Sequence, residues 1–362
     1  MIKSYKNSII IGVCTITLVT IGIVMVYSAS KYSASVNYNN KFFYMKKQLI
    51  GGIIGLVAMI GTSLINHKIY KKFYIVAYII GAVLLAIVFI PGLSKSSYGA
   101  TRWINLGGFT IQPSEIAKFC LVLFLSVALT KGKDINNPSK LFTTLFAGVV
   151  YCVLIMLEPN MSITICVGLT LVVMLFIGGL NIKTFLIGAI PIILLGVGLV
   201  LLEPYRLRRI VAFIDPWENP LEEGYQLIQS LYAISSGGLF GVGLGQSRQA
   251  QLFLPFAESD FIFSIICEEL GWIGGVAILS IYLLLIITII KVGLKANNNY
   301  SSFLCIGIAC VLGIQTVLNV CVVSGLIPPT GLPLPFISAG STSIVVFMSA
   351  MGIVMNVDRN RT

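Results

Sequence analysis

The stretch ESDFIFSIICEELGWIGGVAILSIYLLLIITII, from Glu258 to Ile290, decides the fold class. No charged residue follows Glu269 until Lys291. That interval is long enough to cross a hydrocarbon core of about 30 Å, which takes roughly 20 helical residues. Taken from 258 through 290, the run would build a helix of ~50 Å, roughly 20 Å longer than the core. The helix therefore either projects above the membrane or breaks at Gly271-Trp272-Ile273-Gly274-Gly275. In both cases Asp260 stands at the outer boundary, with Glu268 and Glu269 ~12 Å further down the axis. Few structural roles need three carboxylates in such a place.

The rest of the chain agrees. Of 362 residues, 57% are apolar and 10% charged, where a soluble domain carries about 25% charged residues. Mean hydropathy is +0.96. Nearly every soluble enzyme fold is excluded, and an all-α polytopic membrane protein is expected. Apolar runs fall near 9–28, 47–66, 73–91, 113–130, 140–157, 161–179, 183–202, 258–290, 301–325 and 335–357, which predicts ten transmembrane helices. No repeat or low-complexity tail divides the chain, so 1–362 reads as one domain with a loop insertion at about 203–257. The first run is too long, and too lacking in a small-residue cleavage site, for a removed signal peptide.

With the N-terminus inside, thirteen Lys and Arg fall in the inner segments, among them Lys68, Lys71, Lys72, Lys131, Lys133 and Lys140, against six in the short outer loops (Lys31, Lys41, Lys46, Lys47, Lys95 and Arg102). The positive-inside rule then places both termini in the cytoplasm. Loops 92–113, 203–257 and 326–335 face outward, and they are the segments richest in polar, Gly and Pro character. The net charge of +11 suits cytoplasmic loops beside anionic lipid. No basic run has interleaved aromatics, so nucleic acid is not expected. Eight cysteines lie in or beside apolar runs without a CxxC pair, which excludes a disulfide framework and a zinc site. The one histidine, His67, lies in a short Asn-His-Lys loop and offers little for a histidine-based mechanism. Carboxylates and cations must carry any chemistry.

Four constellations stand out. Thr101 to Lys118 leads into the fourth helix, with Pro113 suited to a first turn and Ser114 or Gln112 able to occupy its exposed donors. Glu115 and Lys118 share a face and can pair. Such a pair either fixes helix packing or serves an anionic substrate, since a lone ammonium in the bilayer costs several kcal/mol. Trp103 reads as an interfacial anchor. Gly237 to Gln249 is glycine-rich and includes Arg248; it reads as a tight re-entrant turn, with a phosphate cradle as the alternative. Arg206, Arg208 and Arg209 form a cationic cluster that lipid or substrate phosphate could satisfy. Asp260 precedes a helix, where it could serve as a cap. Gly331 to Ser343, including Ser338, could line a lipid or sugar groove, although helix packing explains it as well.

Read in order, six motifs resemble the SEDS family (shape, elongation, division and sporulation), which includes RodA, FtsW and SpoVE. They are Gly99–Ile104, Gln112–Lys118, Gly241–Ser247, Asp260–Phe263, Glu268–Gly271 and Thr330–Ser338. The glycine motif looks closer to the FtsW and SpoVE branch. The family usually reads Pro-Glu-small-His-Thr-Asp where this chain has Pro255, Phe256, Ala257, Glu258, Ser259 and Asp260. It usually reads Ser-Tyr-Gly-Gly-Ser-Ser where this chain has Ser338, Ala339, Gly340, Ser341, Thr342 and Ser343.

The resemblance implies a peptidoglycan glycosyltransferase of the bacterial cytoplasmic membrane. It would polymerise lipid II into undecaprenyl-linked glycan on the outer face, in cell division or sporulation. Its partners would be a class B penicillin-binding protein and other divisome or sporulation membrane proteins. Pyrophosphate is a good leaving group, so the reaction needs charge stabilisation and one general base. Asp260 is expected as that catalytic base. Arg102, Glu115, Lys118, Arg248, Glu268, Glu269 and Ser338 are expected to bind substrate. A divalent cation, Mg or Mn, is a further candidate for neutralising the pyrophosphate. A lipid II flippase and a non-catalytic scaffold that recruits a synthase are the rival readings.

Overall fold

The computed structural model describes residues 5–90, 94–97, 100–105, 110–131, 134–186, 212–222 and 224–360. Helices α1 (Lys6–Tyr38) and α2 (Phe43–Leu64) form a long antiparallel pair. A turn and the short α3 (Lys68–Lys72) lead to α4 (Tyr74–Ile87). Beyond a small sheet come α5 (Pro113–Thr130), α6 (Pro138–Leu157) and α7 (Met161–Ile177). Then follow α8 (Tyr225–Ser236), α9 (Ile262–Leu294), α10 (Asn299–Val323) and α11 (Ser341–Arg359).

Local chemistry explains several boundaries. Pro113 and Pro138 open α5 and α6, where a missing N–H is no loss. Asn160 and Asn298 cap α7 and α10 by accepting from Ile163 N and Ser301 N. The first helix runs ten residues past its apolar stretch of 9–28, to Tyr38, because no proline or glycine interrupts that polar extension.

Seven described helices are long and apolar enough to cross a membrane, and α4 and α7 are shorter apolar helices. The protein is a polytopic helical membrane protein. Most of the expected seventh run, and Arg206, Arg208 and Arg209, lie outside the described residues. The bundle is all-α apart from one small element between α4 and α5. Strands β1 (Ser94–Ser97), β2 (Ala100–Asn105) and β3 (Thr110–Ile111) form a small antiparallel sheet in sequence order. Thr101, Trp103, Ile104, Thr110 and Ile111 are the β-branched and aromatic types that fit a pleated ladder.

Small residues set the closest packing. Gly51 and Gly55 of α2 face Ser341 and Met348 of α11, and Gly352 of α11 faces Met59 of α2. Such contacts let helix backbones approach where lipid offers no hydrophobic drive.

Of the two alternatives for the long run, the structure shows the break. Inside α9, Gly271 adopts φ 69° and ψ −176°, a backbone state that disfavours any side chain. The segment after α8 inserts into this break. Val242 N and Gly243 N donate to the carbonyls of Glu268 and Glu269 at 2.9 and 3.0 Å. Trp272 N and Ile273 N donate to those of Gly238 and Leu239 at 3.0 and 3.2 Å. The glycine-rich run is therefore a turn wedged against a broken helix, as the re-entrant reading expected.

Candidate active site

Asp260 lies in the turn before α9, one residue ahead of the N-cap Phe261, whose own side chain makes no capping hydrogen bond. Its backbone is held by Asn319 of α10, whose Nδ2 donates to the carbonyls of Asp260 (2.8 Å) and Leu332 (2.6 Å). One amide so joins the Asp260 turn to the loop between α10 and α11. In that loop Gly331 has φ 72°, and a Cβ there would stand 3.0 Å from Asp260 Oδ2. Glycine lets the loop pass close to the carboxylate.

Ser338 fixes the same junction from the other side. Its hydroxyl donates to the Ser259 carbonyl at 2.5 Å and accepts from Leu334 N at 2.7 Å. Gln48 of α2 donates to the carbonyls of Ile337 and Ser338 at 3.1 and 3.0 Å and accepts from Gly340 N. Ser338 shapes the loop and does not line the cavity described next.

A cavity of about 870 Å³ opens beside Asp260. Asp260, Arg102, Trp103, Gln112, Asn160, Ser162, Gln226 and Ser343 supply its polar lining, and Pro328, Pro329 and Pro333 part of its apolar wall. Trp103, expected as an interfacial anchor, is a cavity residue. Arg102 reaches from β2 to the turn before α7, donating from Nε to the Glu158 carbonyl at 3.3 Å and from a terminal nitrogen to the Pro159 carbonyl. Glu158 itself is fully buried, and neither carboxylate oxygen has a protein partner among the described residues. Burial pushes its carboxyl up to about 8, opposed by the positive charge of Arg102.

Of the expected binding residues, the structure brings Arg102 to Asp260's cavity and places the others elsewhere. Glu115 and Lys118 pair at 3.0 Å, both buried. Lys118 also donates to Gln315 Oε1, and Gln315 Nε2 donates to the Pro333 carbonyl at 2.8 Å. The pair thus braces the cavity wall from behind, because an ammonium in this position needs full satisfaction.

Glu268 accepts from Ser247 Oγ, Arg248 N (2.9 Å) and Gln249 N (3.4 Å). Glu269 accepts from Ser28 Oγ at 2.7 Å and from Ser247 N at 3.4 Å. These carboxylates clamp the re-entrant turn, and Arg248 is exposed with its side chain outside the cavity lining. Glu258 is also outside the lining; burial pushes its carboxyl up, opposed by hydrogen bonds from its own backbone and Tyr44. Ser114 and Gln112 do not cap α5, and Ser114 Oγ has no partner among the described residues.

Three residues that organise the site escaped sequence reasoning: Gln48, Gln315 and Asn319. Each is a buried amide in an otherwise apolar helix. Their signal was available, since an uncharged amide in a spanning helix is costly unless its hydrogen bonds are met.

With this geometry in place, comparisons with known proteins become informative. Stage V sporulation protein E of Bacillus subtilis (strain 168) is 40% identical over 361 residues, covering 99% of this chain and 98% of that protein. A probable peptidoglycan glycosyltransferase FtsW of Geobacter sp. (strain M18) is 36% identical, with 96% and 95% covered. A chain of a peptidoglycan synthase complex, solved to show structural coordination of polymerization and crosslinking, matches with TM-score 0.80 at 27% identity, covering 97% of each chain. The rod shape determining protein RodA of Thermus thermophilus matches with TM-score 0.72 at 25% identity, covering 97% of this chain and 96% of that one. The profile of the FtsW, RodA and SpoVE proteins, described as cell cycle protein, matches residues 8–362, and the chain belongs to that family.

Proposed function

We propose that the protein is a peptidoglycan glycosyltransferase, polymerising lipid II on the outer face of the bacterial cytoplasmic membrane. One observation carries this reading: Asp260 shares a single cavity with Arg102. The reaction joins the 4-hydroxyl of one lipid-linked sugar to the anomeric carbon of another and expels a lipid pyrophosphate. Asp260 takes the hydroxyl proton as general base. Arg102 offers positive charge to the departing pyrophosphate. The lipid tails of both substrates explain why the cavity belongs to a membrane bundle.

In this reading the chain crosses the membrane ten times, with both termini cytoplasmic and the cavity facing outward. Its partner is a class B penicillin-binding protein, in division or sporulation. That partner reading is supported by the synthase-complex neighbour. Among the described residues no three of His, Cys, Asp or Glu cluster, and Asp260 is the one carboxylate of the cavity lining. Were a divalent cation bound here, Asp260 would be the one carboxylate of this lining able to hold it. Such a cation would supply further charge neutralisation at the leaving group.

The test is polymerisation of labelled lipid II by purified protein and partner in detergent, where no leaflets remain and a flippase makes no glycan. Asp260→Asn keeps the side chain's shape and removes the base. It is expected to accumulate normally and bind the partner, with glycan synthesis lost by at least the ~10²-fold typical of a missing general base. Near-normal polymerisation by a well-folded Asp260→Asn protein would sink the assignment.

A further inference from the structure

The hairpin joining α1 to α2 carries a cluster that the proposed reaction does not use. Tyr38 and Phe43 stack with ring centroids 3.8 Å apart, and Tyr44 meets them edge-on at 5.8 and 5.2 Å. Lys41 Nζ stands 5.1 Å from the Phe42 ring centroid and Lys47 Nζ 4.4 Å from that of Phe43. Tyr38 is 49% exposed and Phe42 36%, and Lys41, Lys46 and Lys47 are exposed as well. With Lys31 these lysines are four of the six cations in the short outer loops, and no Asp or Glu precedes Glu115 in the chain.

An aromatic belt at the membrane interface is the ordinary explanation for exposed Tyr and Phe. It does not reach Tyr38. Helix α1 continues ten residues past its apolar stretch, to Tyr38, which is ~15 Å along the axis, and the common tilt of ~20° changes this little. The headgroup region adds only about 5–8 Å to the hydrocarbon on each side. In the proposed topology Tyr38 therefore stands in water. Cations are also depleted from short outer loops, so their gathering here runs against the rule that orients the chain.

The cluster is joined to the Asp260 turn. The Tyr44 hydroxyl donates to Glu258, whose backbone carbonyl accepts from Ala339 N at 2.8 Å. Ala339 lines the cavity. One turn further along α2, Gln48 holds the carbonyls of Ile337 and Ser338. A polymer leaving the cavity on this side of the Asp260 turn passes the hairpin.

We propose that the aromatic and lysine face of the α1–α2 hairpin binds the growing glycan strand. Tyr38 and Phe42 pack on its sugar rings, and Lys41, Lys46 and Lys47 attract the carboxylates of its peptide side chains. This deepens the glycosyltransferase reading and rests on it for the identity of the polymer. Both halves of the surface are matched: sugar rings present C–H faces to aromatic ones, and the strand's peptides are acidic. A strand held here stays beside the cavity between one addition and the next.

The experiment is equilibrium binding of labelled, uncrosslinked peptidoglycan strands to the full-length protein in detergent. Strands stripped of their peptides by an amidase are the second probe. Wild type is expected to bind both, the peptide-bearing strand more tightly and with a steeper loss as salt rises. Tyr38→Ala and Phe42→Ala should each weaken both probes about fivefold, the usual effect of truncating an aromatic anchor. Lys41→Gln combined with Lys47→Gln should weaken the peptide-bearing probe alone, about threefold. Both lysines are exposed, so this double variant should melt like wild type; if an aromatic variant melts lower, the lysine pair decides.

Variants that bind both probes like wild type would overturn the proposal. So would variants that keep strand binding and lose capture of the class B partner, which would assign the surface to the partner. Strand binding is independent of turnover. If wild type makes no glycan yet the variants lose strand binding, the glycosyltransferase reading fails and the surface stands.

Discussion

At the residue scale, burial governs the protonation of Glu158. It sits in the turn between α6 and α7, fully buried, with Arg102 bonded to its carbonyl. Its carboxyl is held near 8 by burial, against an ordinary value of 4.5. Between those values the folded protein keeps a proton that the unfolded chain has released. By linkage, stability is then highest below the lower value and falls as pH rises toward the upper one. The melting temperature of the wild type should therefore drop between about pH 5 and 8, and Glu158→Gln, which cannot ionise, should flatten that slope. An unchanged slope in the variant would assign the pH dependence to another group. His67 shows the limit of reading a residue by its neighbours in sequence. Its short polar loop says nothing of partners, yet His67 is 2% exposed and bonded through its ring to Asn356 and Ser301 at 2.9 Å each. Those partners come from the last two helices, a proximity that only the tertiary fold creates.

Among elements, α9 shows how a helix can be broken without leaving its backbone unsatisfied. At Gly271 a Cβ would stand 2.3 Å from the Leu239 carbonyl oxygen and 2.4 Å from Gly241 N. Gly271→Ala should therefore expel the re-entrant turn or distort the helix, at a cost of about 1–3 kcal/mol for backbone strain alone. Lower melting temperature and reduced polymerisation are expected. Gly61→Ala is the matched control, since a Cβ in that part of α2 meets nothing within 4 Å and alanine favours a helix by about 1 kcal/mol. Equal behaviour of the two variants would mean that the inserted turn does not need glycine. The break was legible because a 258–290 helix is too long for a bilayer and carries clustered glycines. The task of Glu268 and Glu269 was not. They are consecutive in the sequence, but only the returning turn reveals that Ser247, Arg248 and Gln249 donate to Glu268. Carboxylates that looked like substrate ligands are internal anchors.

For the whole molecule, the two ends of the bundle are built differently. The cavity opens beside the first turn of α11, whereas at the opposite end the last helix is tied to the first. There Asp358 of α11 accepts from Ser8 N (3.0 Å), Ser8 Oγ (2.8 Å) and Asn7 Nδ2 (3.2 Å), supplying from the last helix the cap that α1 lacks. Asp358→Ala should fray the start of α1, speed amide exchange at residues 5–10, and cost ~1 kcal/mol, as for a lost cap. Polymerisation at the distant cavity should persist, and its loss would show that the ends are coupled. That the chain is a polytopic helical membrane protein was readable from hydropathy because lipid demands long apolar segments. The cavity was not, because its walls join residues from opposite ends of the chain. The turn lodged in α9 bears on how such a chain is made. A broken helix exposes peptide groups that hydrocarbon cannot solvate, at several kcal/mol for each one left alone. Residues 238–243 leave the ribosome before Gly271 does, so the groups that complete the break are already synthesised when it emerges. Translation from the N-terminus thus supplies a ready template, and a circular permutant that delivered this turn last would have to insert α9 without it.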